Sequence, residues 1–257
     1  MLHKLFDLSG KVALVTGGSK GIGKAIARAF AEAGADVVIS ARHADELQRA
    51  ASEIKQGLNR RVEYVVADMT DRKSVAALTN SALQSLGKVD ILVNNAGSNK
   101  PQTLVDTTDE SWDQIIELNL TSCMALARAF APGMVERRWG RIIHLSSVMA
   151  LASNPGRGVY SATKAALVGM ARAHALELGP HGVTVNCIAP GPIATDLPMS
   201  ILNDSQKKKF EELTAVKRWG QTSDIVGPAL LLASDAGAFM TGTVIVADGG
   251  MLCRTFD

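Results

Sequence analysis

Short runs of aliphatic and β-branched residues alternate along the chain with longer stretches whose apolar positions recur at helical spacing. Residues 11–16 (KVALVT), 36–40 (DVVIS), 61–67 (RVEYVVA), 88–93 (KVDILV), 140–145 (GRIIHL), 183–189 (VTVNCIA) and 243–247 (TVIVA) read as strands. Helical patterns fill the gaps at 21–33, 44–56, 71–86, 109–135, 159–178 and 222–232. Strands this uniformly apolar are expected to be buried on both faces, as parallel strands between helix layers are. The order therefore predicts an α/β fold: one doubly wound Rossmann-type domain with a seven-stranded parallel sheet between helix layers. No shift in composition, internal repeat or low-complexity stretch marks a second domain, so residues 1–257 read as one unit. Residues 190–216 are long for a strand-to-helix connection. They begin beyond a strand's carboxyl end, where such sheets bind ligands, and predict either a substrate lid or an ordinary helical insertion.

Composition narrows the partners. The chain has 257 residues, 47% of them hydrophobic and 20% charged, with a formal net charge of +2, which points to neither a nucleic-acid nor a membrane-surface partner. The first residues are broken by Lys4, Asp7 and Lys11, which predicts neither a signal peptide nor a membrane span. Cys123, Cys187 and Cys253 are odd in number and far apart, and none of the five histidines forms a ligand-like pair. That argues against a disulfide framework or a metal site and makes a reducing, cytoplasmic setting the expectation.

The chemistry concentrates in two places. Tyr160 and Lys164 are one helical turn apart, so on a helix they share a face. A cation beside a phenol favours the phenolate, and such a pair can exchange a proton with a substrate oxygen. Between the first strand and the first helix lies Thr16-Gly17-Gly18-Ser19-Lys20-Gly21-Ile22-Gly23, a glycine-rich turn of the kind that lets backbone approach a pyrophosphate at a helix N-terminus. At the end of the second strand, where an NAD site places an acid, the chain has Ser40-Ala41-Arg42-His43, and Asp45 and Glu46 fall into the next helix. Arg42, with Lys20 in the glycine turn, suits a 2′-phosphate, so NADP(H) is expected over NAD(H).

Thr-Gly-x-x-x-Gly-x-Gly, Asn94-Asn95-Ala96-Gly97, Asn119, Ser147, Tyr160-x-x-x-Lys164 and Pro190-Gly191 follow one another in an order that resembles the short-chain dehydrogenase/reductase family over essentially the whole chain. The resemblance implies a catalytic set of Ser147, Tyr160, Lys164 and Asn119. Tyr160 would be the general acid/base and Lys164 would tune it and hold the nicotinamide ribose. Ser147, preferred to Ser146, would orient the substrate oxygen, and Asn119 would anchor a proton relay. It further implies cofactor contacts at Gly17, Ser19, Lys20, Gly21, Ile22, Gly23, Arg42, Asp68, Met69, Asn95, Ala96, Gly97, Tyr160, Lys164, Pro190, Gly191, Ile193 and Thr195. For Asp68 the residues also allow a helix cap ahead of Asp71, and for Asn119 a packed helix position satisfied by backbone.

Leu5–Lys11, Arg218-Trp219-Gly220 and Asp248–Leu252 look like the gluconate 5-dehydrogenase branch and are shared in part with 3-oxoacyl-[acyl-carrier-protein] reductases. The first implies a sugar acid or polyol, for which Arg157 is a candidate cation. The second needs cations at the site mouth, for which Arg137, Arg138 and Arg141 are candidates. Either way the partner is a small-molecule carbonyl or alcohol. The family resemblance implies a homotetramer or homodimer, packed through the helices at 109–135 and 159–178 and the tail from Gly249. A reading of another class, a non-catalytic NADP(H)-binding sensor, has against it the presence of all four catalytic residue types.

Overall fold

The structure, a computed structural model, describes residues 2–253. After a short α1 (Leu2–Leu5), the chain alternates β1 (Val12–Thr16), α2 (Gly21–Glu32), β2 (Asp36–Ala41), α3 (Ala44–Lys55), β3 (Val62–Val66), α4 (Arg72–Leu86) and β4 (Ile91–Asn94). Then come α5 (Asp109–Ile116), α6 (Ser122–Glu136), β5 (Gly140–Leu145), α7 (Gly158–Leu178) and β6 (Val183–Pro190). The described chain closes with α8 (Asp196–Ile201), α9 (Asp204–Leu213), α10 (Thr222–Ala233) and β7 (Val244–Ala247). The strands form one parallel seven-stranded sheet in the order β3-β2-β1-β4-β5-β6-β7. The order reverses between β1 and β4, which is the switch point where doubly wound sheets bind ligands.

The core has two halves because side chains alternate across the pleat. Ala13 and Val15 of β1 join Phe30 of α2, Leu47 of α3 and Leu232 of α10 on one face. Val12 and Leu14 join Leu78 of α4, Phe130 of α6 and Leu167 of α7 on the other. Double-sided burial holds for the central strands but not for β3 and β7. They are the two sheet edges, and Tyr64 and Val66 of β3 and Val246 of β7 are exposed there.

The long helix expected over 109–135 runs from α5 into α6 through a π-helical turn, Glu117–Thr121. The Ser122 amide donates to the Glu117 carbonyl, one residue further back than an α-helix allows. Residues 190–216 fold as α8 and α9, so the insertion is helical. Asn203 and Gln206 form a reciprocal cap at the start of α9. The Trp219 indole donates to the Lys207 carbonyl at 3.0 Å and packs on Phe210 with ring centroids 5.2 Å apart. Among the described residues no helix is long and apolar enough to cross a membrane. The residues of the tail beyond Cys253 lie outside the described part.

Charge is gathered at the amino ends of the strands. Asp90 is 2% exposed, accepts from the Val12 amide and Arg137 Nε at 3.0 Å each, and meets Lys88 Nζ at 2.8 Å. Arg141, also buried, pairs with Asp235 at 3.2 Å, and its guanidinium stacks on Trp139, which Lys11 also approaches. This corrects the idea that Arg137 and Arg141 present cations at the site mouth. Both are engaged in ion pairs, and Arg141 lies about 20 Å along the strand direction from Ser147, counting 3.3 Å per residue. Arg138 sits in the same turn and donates to the Pro180 carbonyl.

Asp90→Ala removes one partner from a buried network and strands two cations and the Val12 amide. The expected cost is about 3 kcal/mol, read as a fall in Tm of roughly 6–12 °C, with kcat retained below the transition.

Candidate active site

The turn after β1 is locked to the turn after β4. Thr16 Oγ1 donates to the Val93 carbonyl and accepts from the Asn95 and Ala96 amides at 3.0 Å each. The Asn95 carboxamide in turn donates to the carbonyls of Thr16 at 2.8 Å and Gly17 at 3.2 Å. Two glycines make this approach possible. Gly17 has φ +65°, and a Cβ there would lie 2.7 Å from Asn95 Nδ2. A Cβ at Gly23 would lie 2.3 Å from the Gly17 carbonyl oxygen. Lys20, at the N-cap of α2, offers no side-chain acceptor, so the first-turn amides of this 12-residue helix are left for an anion. Together these features fit a dinucleotide pyrophosphate.

Around this cradle the expected cofactor residues divide by what holds them. Arg42 follows β2, is exposed and makes no ion pair among the described residues. The Asp68 carboxylate accepts from both the amide and hydroxyl of Thr70. The helix-capping role belongs to Asp71, which accepts from the Lys73 amide. Met69 is buried in the core, so only its backbone can meet a ligand. The Asn95 side chain likewise serves the glycine turn. Ile22 packs partly against the core, Ile193 is buried and bridges to Gly220, and Thr195 Cγ2 lies 3.3 Å from where a Gly21 Cβ would stand. Gly191 permits close passage of the chain after β7, since its Cβ would come within 2.6 Å of Asp248 Cα.

The four residues expected to form the catalytic set gather at the carboxyl ends of β4 and β5. Tyr160 stands in the first turn of α7, and Lys164 one turn later is 5% exposed. Lys164 Nζ donates to the Leu145 carbonyl at 2.7 Å and lies 5.6 Å from the Tyr160 ring centroid. Ser146 turns its hydroxyl to the Lys164 carbonyl, whereas Ser147 accepts from the Met149 amide and keeps its own proton to donate. Ser147 is thus the freer of the two hydroxyls.

Asn119 is fully buried in the π-helical turn. Its Oδ1 accepts from the Ser98 amide, and its Nδ2 donates to the Ser98 carbonyl and Thr163 Oγ1. The side chain therefore ties the turn after β4 to α7. A Cβ on Gly97 would stand 3.2 Å from Asn119 Oδ1 and 3.4 Å from Lys164 Nζ, so the bare backbone of Gly97 borders both. Across the opening, the Gln102 amide donates to the Gly156 carbonyl at 3.1 Å, and the adjacent Arg157 is half-buried without an ion pair among the described residues.

Two residues have surroundings that the sequence reading did not foresee: Glu46, assigned there to the next helix, and His144. Glu46 reaches back from α3 to the glycine turn, where Ser19 Oγ donates to it and Lys20 Nζ stands 3.5 Å away. His144, behind Lys164, is fully buried. Its Nδ1 lies 3.1 Å from Asn94 Nδ2, which also donates to the Cys123 carbonyl, so Nδ1 is the acceptor and the ring proton sits on Nε2. Burial, then the charges of His174 and Lys164, push His144 down to about 3. Glu46 could have been suspected from its acidic type near the second strand. Nothing local marks His144.

The profile of the family described as Enoyl-(Acyl carrier protein) reductase matches residues 17–252. The chain is 38% identical over 244 residues to the 3-oxoacyl-[acyl-carrier-protein] reductase FabG of Chlamydia trachomatis serovar D, covering 95% of this chain and 98% of that protein. The crystal structure of a gluconate 5-dehydrogenase from Burkholderia cenocepacia J2315 in complex with NADP and tartrate superposes with a TM-score of 0.92 at 30% identity, over 99% of this chain and 100% of the other. A 7α-hydroxysteroid dehydrogenase complexed with NADH and 7-oxo glycochenodeoxycholic acid does so with a TM-score of 0.92 at 37% identity, over 96% of each chain.

His144 gives a pH signature. Its folded value of about 3 lies below the unfolded 6.5, so the unfolded chain binds the proton more readily between them. This contribution to stability is complete above about pH 6.5 and is lost as pH falls towards 3. His144→Gln, which keeps an acceptor for Asn94, should flatten the fall of stability in urea titrations taken from pH 6.5 down to 4.

Proposed function

The chain belongs to the short-chain dehydrogenase/reductase family and is an oxidoreductase of alcohol and ketone groups, and from that premise we propose that Tyr160 is its general acid/base. The observation that carries this is the buried Lys164 ammonium beside the Tyr160 ring at the carboxyl ends of the strands. Gly17, Ser19, Lys20, Gly21, Ile22 and Gly23 would hold the pyrophosphate half of a nicotinamide cofactor. Asp68 and the Met69 backbone would meet the adenine, and Ala96, Gly97, Lys164, Pro190, Gly191, Ile193 and Thr195 the nicotinamide half. A bound nicotinamide supplies or accepts the hydride.

In the reducing direction Tyr160 gives its phenolic proton to the substrate oxygen as the carbonyl carbon gains hydride. Ser147 donates a hydrogen bond to the same oxygen and steadies the charge that develops on it. The Lys164 ammonium, held by the Leu145 carbonyl, faces the negative charge left on Tyr160. Asn119 keeps Lys164 and Gly97 in register by tying Ser98 to Thr163, and protons return to Tyr160 through this buried polar corner. In oxidation the same groups run in reverse.

For the substrate we favour a hydroxy or keto acid of the sugar-acid type. Arg157, three residues before Tyr160, half-buried and without an ion pair among the described residues, supports it, as does the likeness to a gluconate 5-dehydrogenase. A 3-oxoacyl-[acyl-carrier-protein] reductase is the second reading, favoured by the likeness to FabG. It would need an acidic-partner surface made without Arg137 and Arg141. NADP(H) is favoured over NAD(H) on the exposed Arg42, which has no ion pair among the described residues. The helical pair α8–α9 would close over the substrate. A homotetramer or homodimer would cover the exposed Leu104, Val105 and Trp112 near α5, and Leu176, Phe239 and Val246 near α7 and β7. A cytoplasmic setting accords with three free cysteines.

Tyr160→Phe should leave the dissociation constant for NADPH within a factor of about two while kcat falls by roughly 10³-fold or more. Near-normal turnover would end the assignment. Arg42→Asp should move the NADPH/NADH ratio of kcat/KM towards NADH by about tenfold or more, the effect of replacing a phosphate-pairing cation with an acid.

A further inference from the structure

The side chains of Ser19 and Lys20, unlike their backbone, already have a partner in Glu46. Ser19 Oγ donates to Glu46 Oε2 at 3.2 Å, and Lys20 Nζ lies 3.5 Å from Glu46 Oε1. These residues lie beside the end of β2, because the Gly18 amide donates to the Ser40 carbonyl at 3.1 Å. That is the corner in which doubly wound sheets read the adenosine ribose: an acid there takes a 2′-hydroxyl, a cation a 2′-phosphate. The chain puts both signs in this corner, with Arg42 unpaired among the described residues and Glu46 held by Ser19 and Lys20 of the glycine turn. Burial pushes the Glu46 carboxyl up. The Lys20 charge, the Ser19 hydroxyl and the His43 charge outweigh it and hold the group below its ordinary value, so it is anionic at neutral pH.

We propose that Glu46 is a specificity-determining residue of the cofactor site, whose carboxylate occupies the Ser19 and Lys20 donors and repels a 2′-phosphate. It holds the preference for NADP(H) below what Arg42 and Lys20 would give without it, and leaves NAD(H) a usable cofactor. The inference rests on the nicotinamide-cofactor reading above. A phosphate carries nearly two negative charges near neutrality and gains from each donor released to it. A 2′-hydroxyl has no charge to repel and can itself donate to the carboxylate. The side chains of Lys20 and Glu46 are 63% and 32% exposed, so solvent screens the effect and keeps it moderate.

The test is equilibrium binding, followed by the fluorescence of NADPH and of NADH titrated with the wild type, Glu46→Gln and Asp45→Asn. Asp45 is the neighbouring acid in the same helical turn; it is exposed and makes no hydrogen bond or ion pair with the glycine turn among the described residues, so its variant controls for bulk charge. In Glu46→Gln the NADPH dissociation constant should fall about fivefold, the upper range for a partly exposed charge, with NADH changed less than about twofold. Asp45→Asn should leave the NADPH/NADH ratio unmoved. If melting shows that the glutamine disturbs α3, Glu46→Ala must give the same ratio shift. A ratio unchanged in the Glu46 variants, or shifted equally in Asp45→Asn, overturns the proposal. A wild type that binds neither nucleotide overturns the cofactor reading itself, and the role of Glu46 with it.

Discussion

The carboxyl end of β1 comes so close to that of β4 that two side chains must be missing. Gly17 and Gly23 supply those absences, and Thr16 with Asn95 converts the close approach into five hydrogen bonds. Everything at the ligand end of the sheet is placed from this lock. It presents the amino end of α2 to an anion and fixes the course of residues 95–98. Through Ser98 and Asn119 it reaches α7, where the Tyr160–Lys164 pair stands. Backbone approach of this kind is unforgiving, because a Cβ at 2.3 Å from a carbonyl oxygen cannot be relieved by a rotamer change.

The two ends of the sheet have separate tasks. At the amino ends, buried Asp90 and Arg141 are matched by partners, and the charges there neutralise one another. At the carboxyl ends, Lys164 is buried with a carbonyl as its partner, and Arg42 and Arg157 are left unpaired among the described residues. The paired cluster stabilises the fold, whereas the cations at the carboxyl ends keep their charge open to an anion. The π-helical turn belongs to the ligand end as well. By adding a residue to the helix it places buried Asn119 between Ser98 and Thr163.

Much of this could be read along the chain. The seven strands fall where the apolar runs are, β5 to the residue, and the helices differ at their ends by a residue or so. The differences have local causes. β4 begins at Ile91 and not at Lys88, and Asp90 just before it is an ion-pair centre whose backbone still bonds both neighbouring strands. β3 is apolar yet exposed, because no periodicity says which strand will be the edge. Of the two adjacent serines, Ser146 donates its hydroxyl to α7, whereas Ser147 accepts from the Met149 amide and keeps its proton to donate, a difference no motif marks. Asn95 and Met69 stood in the right motifs, but their side chains turn to the glycine lock and the core.

The sequence alone determined the alternation of elements, the glycine turn and the Tyr160–Lys164 spacing, because each depends on residues within one turn or one strand of each other. Only the tertiary structure decided where distant charges meet. It sent Arg137 and Arg141 to the far end of the sheet and brought Glu46 back from α3 onto Ser19 and Lys20. It also buried His144 behind Lys164. Periodicity fixes which face of an element is apolar, but the register and order of seven parallel strands set which polar groups are left side by side, and that is a property of the whole sheet.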